Sequence, residues 1–246
     1  GRMINTVKRV ENEYDITAEG DAEAFKTLYD AEECGYNNYI VMQGKTLRSI
    51  CMNDNTFEQD FAEYLKAFDD VLKQLLGIER EKTDQKFLNM DGIVAELRKK
   101  GILFQVASAW AQIDLAPYDN SAITTLEEHI KRRWADISAS TAGEQYTPED
   151  IIELIARIVA LKVNKPKDKL LHGYDPTCGG ANLLFGVSDR LQKDGYKYIK
   201  TYGSELNDSL YALSSIESRF RPMSTIKYGN TLTMVPFADM EEGFDF

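Results

Sequence analysis

The chain has 246 residues, 43% of them hydrophobic, which is enough to bury a core and too much for a disordered polypeptide. Its formal charge of -11 argues against a surface that grips nucleic acid unaided, because phosphate binding needs clustered Lys and Arg. Cys34, Cys51 and Cys178 are widely spaced with no Cys-x-x-Cys pair, and no apolar run is long enough for a membrane helix or shaped like a signal peptide, so a cytoplasmic protein is expected.

The first half reads as helical, and residues 1–138 are expected to form an N-terminal helical domain. Within residues 56–77, Phe57, Phe61, Tyr64, Leu65, Phe68, Leu72, Leu75 and Leu76 recur at three- and four-residue steps, the stripe of one amphipathic helix. Thr56 with Gln59 predicts a capping box at its start, and Gly77 a left-handed stop. Its aromatic positions read as core packing and receive no chemistry. Further helices are predicted at residues 91–100, 103–113 and 125–138, parted by Gly101 and the turn cluster Ala116-Pro117-Tyr118-Asp119-Asn120.

The small, polar stretch at residues 138–143 predicts a linker, and residues 139–246 are expected to form a second domain. Thr147-Pro148-Glu149-Asp150 opens a helix, with a hydroxyl at the N-cap, proline in the first turn and two acids near the positive helix end. From Lys169 onward, strands and helices alternate in the order of a parallel α/β sheet. A strand ends at Tyr174-Asp175, a helix covers residues 181–193, and a second strand covers 198–202. A helix over 208–220, capped by Asn207, leads to a third strand over 225–228. Phe244-Asp245-Phe246 reads as the opening of a fourth, so the sheet is expected to be incomplete.

Ligands of an open parallel sheet sit at the carboxyl ends of its strands. Those positions hold Asp175-Pro176-Thr177-Cys178-Gly179-Gly180, then Gly203-Ser204-Glu205, then Gly229-Asn230. Small residues after the first strand let the backbone approach a ligand, and the amides of the next helix start can meet an anion. A carboxylate ending the second strand can accept both hydroxyls of a ribose, and a polar side chain after the third can reach an adenine edge. Singly, each acid or glycine could be a cap or a turn; jointly they describe an adenosyl-ligand site. A dinucleotide would want Gly-x-Gly-x-x-Gly where this chain has Asp-Pro-Thr-Cys-Gly-Gly-Ala-Asn. Asp175 would repel a pyrophosphate and suits a ligand with a cationic ammonium and sulfonium.

Other reactive residues read as structural. His129 and His172 lack metal-ligand spacing, and no metal is expected. Cys178 has no recognisable His partner, so covalent catalysis is rejected. Lys131-Arg132-Arg133, with Trp134, reads as a solvated helix face in preference to a DNA contact.

Asp175-Pro176-Thr177-Cys178-Gly179 resembles the first motif of N6-adenine DNA methyltransferases. Glu144-Gln145-Tyr146-Thr147-Pro148 is similar to the segment that precedes it in the modification subunits of type I restriction systems. The resemblance implies S-adenosyl-L-methionine as cofactor, its methionine part met by Gln145, Tyr146, Thr147, Asp175, Gly179 and Gly180. Glu144, Pro148, Thr177 and Ala181 complete the implied cofactor-binding set. Glu205 matches the family's ribose-binding acid, and Gly229-Asn230-Thr231-Leu232 resembles the segment beside the adenine ring, which puts Asn230 there.

The fold so implied is a helical domain followed by the first strands of a Rossmann-like methyltransferase sheet. The implied activity is methyl transfer to adenine N6 in DNA, with a specificity subunit and, for cleavage, a restriction subunit as partners. The family's Gly-Ser-Gly-Gly run is here Gly179-Gly180-Ala181-Asn182. Its catalytic Asn/Asp-Pro-Pro-aromatic motif does not occur in the sequence, so no catalytic residue is assigned and the chain alone is expected not to methylate. Two other readings stay open: a non-catalytic S-adenosylmethionine-binding or partner-docking module, and a standalone methyltransferase acting on RNA, protein or a small molecule.

Overall fold

The computed structural model describes residues 2–32, 34–79, 88–114, 117, 126, 129–130, 147–219, 221, 223–240 and 243–246. The chain separates into two compact units, Gly1–Thr125 and Leu126–Phe246. The expected linker at 138–143, the 131–133 basic run with Trp134, Glu144, Gln145 and Tyr146 lie outside the described residues, as do most of the 116–120 turn and of the 125–138 helix.

The first unit is helical: α1 (Arg2–Tyr14), α2 (Ala22–Asp30), α3 (Asn38–Val41), α4 (Leu47–Ile50), α5 (Phe57–Lys66), α6 (Asp70–Leu76), α7 (Met90–Lys99) and α8 (Leu103–Ala111). Val10, Phe25, Tyr29 and Val41 form one buried cluster, and Ile50, Phe57, Phe61, Val94, Leu103 and Ala107 another. Phe57 stacks on Phe61 and meets the edge of Phe104 at 5.0 Å, so the aromatic stripe is core, as its spacing predicts.

Residues 56–77 are two helices where the stripe predicts one. The break at residues 67–69 has a tertiary cause. Ala67 O accepts the Asn38 N–H, Asp69 donates its N–H to Tyr36 O, and Asp69 then caps α6 by accepting the Leu72 N–H at 2.9 Å. The capping box also fails. Thr56 takes helical backbone angles (φ -106, ψ -5) in place of the extended ones a capping hydroxyl requires, and its hydroxyl donates to Asp60 instead. Gly77 ends α6 in the left-handed region, as predicted (φ 71, ψ 47).

The second unit contains α9 (Glu149–Lys162), β1 (Leu170–Asp175), α10 (Asn182–Lys193), β2 (Tyr198–Glu205), α11 (Asp208–Ser218) and β3 (Ser224–Tyr228). The strands are parallel in the order β1-β2-β3. Register pairs Leu171 with Ile199 and Gly203 with Ile226, and this face packs on the helices through Ala156, Leu184, Phe185, Val187 and Leu191. Gly186 lets α9 approach α10: a Cβ there would lie 2.4 Å from Ile152 Cγ2. On the opposite face, Tyr174 and Tyr202 meet the rings of Phe237 and Phe244.

Two sequence expectations need correction here. α9 starts at Glu149 with Pro148 at the cap position (φ -58, ψ 148), so Thr147 stands one residue outside and no side chain caps the helix. β2 runs on through Gly203 and Ser204 to Glu205, because Gly203, Ser204 and Glu205 all hold register partners in β3.

The other edge of β1 carries residues 244–246. Asp245 and Phe246 direct their N–H groups to His172 O, and Tyr174 donates to Phe246 O at 2.9 Å, the bonding of a parallel neighbour opposite Gly173. The Phe246 ring fills the space a Gly173 side chain would need, its Cζ 2.3 Å from that Cβ position. Asp245 also accepts from the His172 N–H and from Lys165 Nζ, at 2.8 and 2.9 Å. These contacts give β1 a parallel neighbour on the edge opposite β2.

Candidate functional site

The carboxyl ends of the three strands are tied together. β1 ends at Asp175, whose Oδ1 accepts the Thr177 N–H at 3.0 Å and so starts a tight turn. Pro176 and Thr177 are exposed, while Cys178 is buried and donates its N–H to Ser204 O at 2.9 Å. Gly179 follows in the left-handed region (φ 54), with nothing within 4 Å of where a Cβ would stand. Ala181 is also left-handed (φ 64) and is the N-cap of α10, with no side-chain cap bond. A buried alanine held there carries strain that glycine would not.

Glu205, at the end of β2, is the hub. Its Oε2 accepts the Gly179 N–H at 2.7 Å, across 26 residues of sequence. Its Oε1 accepts the N–H groups of Leu206 at 2.8 Å and Asn207 at 2.6 Å. Asn207 in turn caps α11 by accepting from Ser209 and Leu210. One carboxylate thus joins the first turn, the end of β2 and the start of α11.

The third turn joins the same group. Gly229 donates its N–H to Glu205 O at 3.0 Å, and Thr231 Oγ1 donates to Pro176 O at 2.6 Å. Asn230 Oδ1 accepts the Leu232 N–H at 2.9 Å, which fixes the amide's orientation and turns its NH₂ away from that bond.

Electrostatics follow from this crowding. Burial pushes Asp175 above the ordinary aspartate value; the Thr177 N–H opposes that rise, and the Glu205 charge adds to it. Cys178 is pushed up to about 12 by burial, with the charges of Asp175 and Glu205 adding to the effect. Its thiol stays protonated at neutral pH, which removes the chemical basis for a nucleophile.

The structure therefore brings Asp175, Thr177, Gly179, Gly180, Ala181, Glu205 and Asn230 to one edge of the sheet. Thr147 and Pro148 are placed at the head of α9. Three further residues contribute in roles not expected from the sequence. Ser204, fully buried, holds the Cys178 N–H with its carbonyl and meets the Tyr174 hydroxyl at 3.1 Å with its own. Leu206 and Asn207 supply amides to Glu205. The last two could have been anticipated, since an acid ending a strand lies within reach of the next two N–H groups, whereas the part played by Ser204 depends on how β1 and β2 pair.

The family model for N-6 DNA Methylase matches residues 119–246. The chain belongs to this family. This N-6 DNA methylase family member is 27% identical over 207 residues to the type I restriction enzyme MpnII methylase subunit of Mycoplasma pneumoniae. That alignment covers 78% of this chain and 37% of the relative, so the chain spans little more than a third of the curated relative's length. It also shares its fold with the crystal structure of the type I restriction-modification system methyltransferase subunit from Streptococcus thermophilus. The TM-score is 0.64 at 17% identity, over 98% of this chain and 55% of that one. The likeness takes in the helical first unit as well as the sheet, so a helical domain followed by the first strands of a Rossmann-like methyltransferase sheet is the fold of this family member.

Proposed function

We propose that the second unit binds S-adenosyl-L-methionine and that the protein acts as the modification subunit of a type I restriction system, methylating adenine N6 in DNA. The observation that carries this reading is the joining of the three strand-end turns through Glu205 and Thr231, in a chain whose family methylates DNA. The residues suit the ligand. The open space at the Gly179 Cβ position admits close approach, and Asp175 offers a carboxylate to an ammonium group. Two acids at this edge would repel a pyrophosphate.

When bound, the cofactor supplies a methyl group made electrophilic by its sulfonium. The chain's part is to hold and orient it. Asp175 takes the ammonium end, Glu205 accepts the ribose hydroxyls, and the Asn230 NH₂ donates to an acceptor on the adenine rim. Thr177, Gly180 and Ala181 shape the turn under the methionine part, and Glu144, Gln145, Tyr146, Thr147 and Pro148 are assigned to the same end. Alignment is the main requirement of methyl transfer. A flipped adenine would meet an Asn/Asp-Pro-Pro-aromatic motif, which residues 1–246 do not contain, so the roles assigned to these residues concern the donor.

The charge of -11 assigns most of the DNA grip to a specificity subunit, with a restriction subunit needed for cleavage. Three free thiols suit the reducing cytoplasm. Isothermal titration calorimetry with S-adenosylmethionine tests the reading: saturable one-to-one binding supports it, and silence at millimolar ligand refutes it. A co-expressed specificity subunit that fails to copurify with this protein would refute the proposed assembly.

A further inference from the structure

Asn182 opens α10 immediately after the left-handed Ala181, at a position where the run it resembles carries glycine. It is 8% exposed, and its Oδ1 is buried without a hydrogen-bond partner among the described residues. Its Nδ2 lies 3.7 Å from where a Cβ on Gly180 would stand, so the amide sits beneath the turn assigned to the methionine part. α10 is 12 residues long and starts without a side-chain cap, which leaves its first N–H groups for an anion. Three neighbouring donors of the turn are committed: Gly179 to Glu205, Cys178 to Ser204 O and Ala181 to Cys178 O.

A buried amide with an unsatisfied oxygen is retained at a cost that folding alone does not repay. An amide offers a donor and an acceptor side by side. An α-amino acid offers the complementary pair, a carboxylate and an ammonium.

We infer that Asn182 is a further ligand-binding residue, recognising the amino-acid tail of the adenosyl ligand. This rests on the adenosyl reading given above. Nδ2 donates to the carboxylate held at the α10 start, and the unpartnered Oδ1 accepts from the ammonium, which Asp175, across the turn, also meets. The chain thereby replaces glycine's freedom of approach with a directed contact, and tail recognition becomes a property of this side chain.

The test compares two probes that share the adenosyl thioether and differ in the tail. S-Adenosylhomocysteine carries the amino acid; 5′-methylthioadenosine ends in a methyl group. Calorimetry is run on the full chain, on Asn182→Ala and on Asn182→Gly. Both variants are expected to bind S-adenosylhomocysteine more weakly by about tenfold or more, while 5′-methylthioadenosine affinity stays within about twofold, because only the tail loses its charge-assisted hydrogen bonds. Unchanged S-adenosylhomocysteine affinity overturns the inference. An equal loss for both probes also overturns it, because Asn182 would then only shape the turn. Retained 5′-methylthioadenosine binding shows that a variant is folded. Wild-type protein that binds neither probe overturns the adenosyl reading itself, a result distinct from a failure at Asn182.

Discussion

Removing the Glu205 carboxylate should loosen the first turn before any ligand is added. Its two oxygens accept three N–H groups, from Gly179, Leu206 and Asn207. The last two are local and exposed; the Gly179 bond is half-buried and spans two strand ends, so most of the loss comes from it. Hydrogen bonds to a charged acceptor contribute about 1.5–3 kcal/mol, so Glu205→Ala should cost the turn about 2 kcal/mol. That corresponds to roughly thirtyfold faster exchange of the Gly179 amide hydrogen. Glu205→Gln keeps one acceptor oxygen and should fall between the two.

The same count bears on binding. A carboxylate has about four acceptor positions, three of which are taken, so two ribose hydroxyls are accommodated only if an N–H contact is released. Ligand binding should therefore leave Gly179 exchange little slowed while protecting the rest of the turn, and Glu205→Ala should weaken S-adenosylhomocysteine binding by roughly tenfold to a hundredfold. Native-state hydrogen exchange read by mass spectrometry, with calorimetry alongside, gives both numbers. Wild-type exchange rates at Gly179 in Glu205→Ala, together with equal affinities, would refute the reasoning.

Three further outcomes are expected. Asp175 has a raised folded-state pKa, so the native protein binds more protons than the unfolded chain between the ordinary aspartate value and the raised one. Its contribution to stability is present at low pH and is lost as pH climbs through that window. Asp175→Asn should then be more stable than wild type at neutral pH, with the gain vanishing in acid, and wild-type affinity for an ammonium-bearing ligand should rise with pH over the same window; urea titrations and calorimetry at several pH values check the pair. Cys178, at about 12, should resist alkylation at pH 8 in the folded protein and react on unfolding, as peptide mapping after iodoacetamide would show. Gly203→Ala should destabilise the second unit by about 1–3 kcal/mol in chemical denaturation, because the new methyl lands 2.7 Å from Ile226 Cδ1 and 2.8 Å from Cys178 Sγ.

The order of strands and helices after Lys169 was legible because each element carries local punctuation. Asn207 is a cap by its own chemistry, and Gly77 a stop. The same holds for Asp175, where strand, acid and glycine turn follow one another. What stayed hidden depends on residues far apart in sequence. The break after Lys66 is made by Tyr36 and Asn38, which no periodicity within 56–77 could report. Glu205 was legible as the acid that ends β2, but its bond to the Gly179 amide exists only once β1 and β2 pair. The failed hydroxyl caps at Thr56 and Thr147 share one cause: residue type suggests a cap, while backbone angles decide it.

Residues 244–246 give β1 a partner on each side, and this decides how the chain is wound. Connections between parallel strands are right-handed as a rule, which carries α10 and α11 over one face of the sheet as the strands step away from β1. The return from β3 to the far edge of β1 crosses the opposite face, which is why Phe237 and Phe244 lie on Tyr174 and Tyr202. The winding direction thus reverses at β1, and the two connections part above its carboxyl end. Asp175 stands at that parting, where the loops on either side lead away to opposite faces and leave the end of β1 open, the kind of crevice in which ligands of open parallel sheets sit.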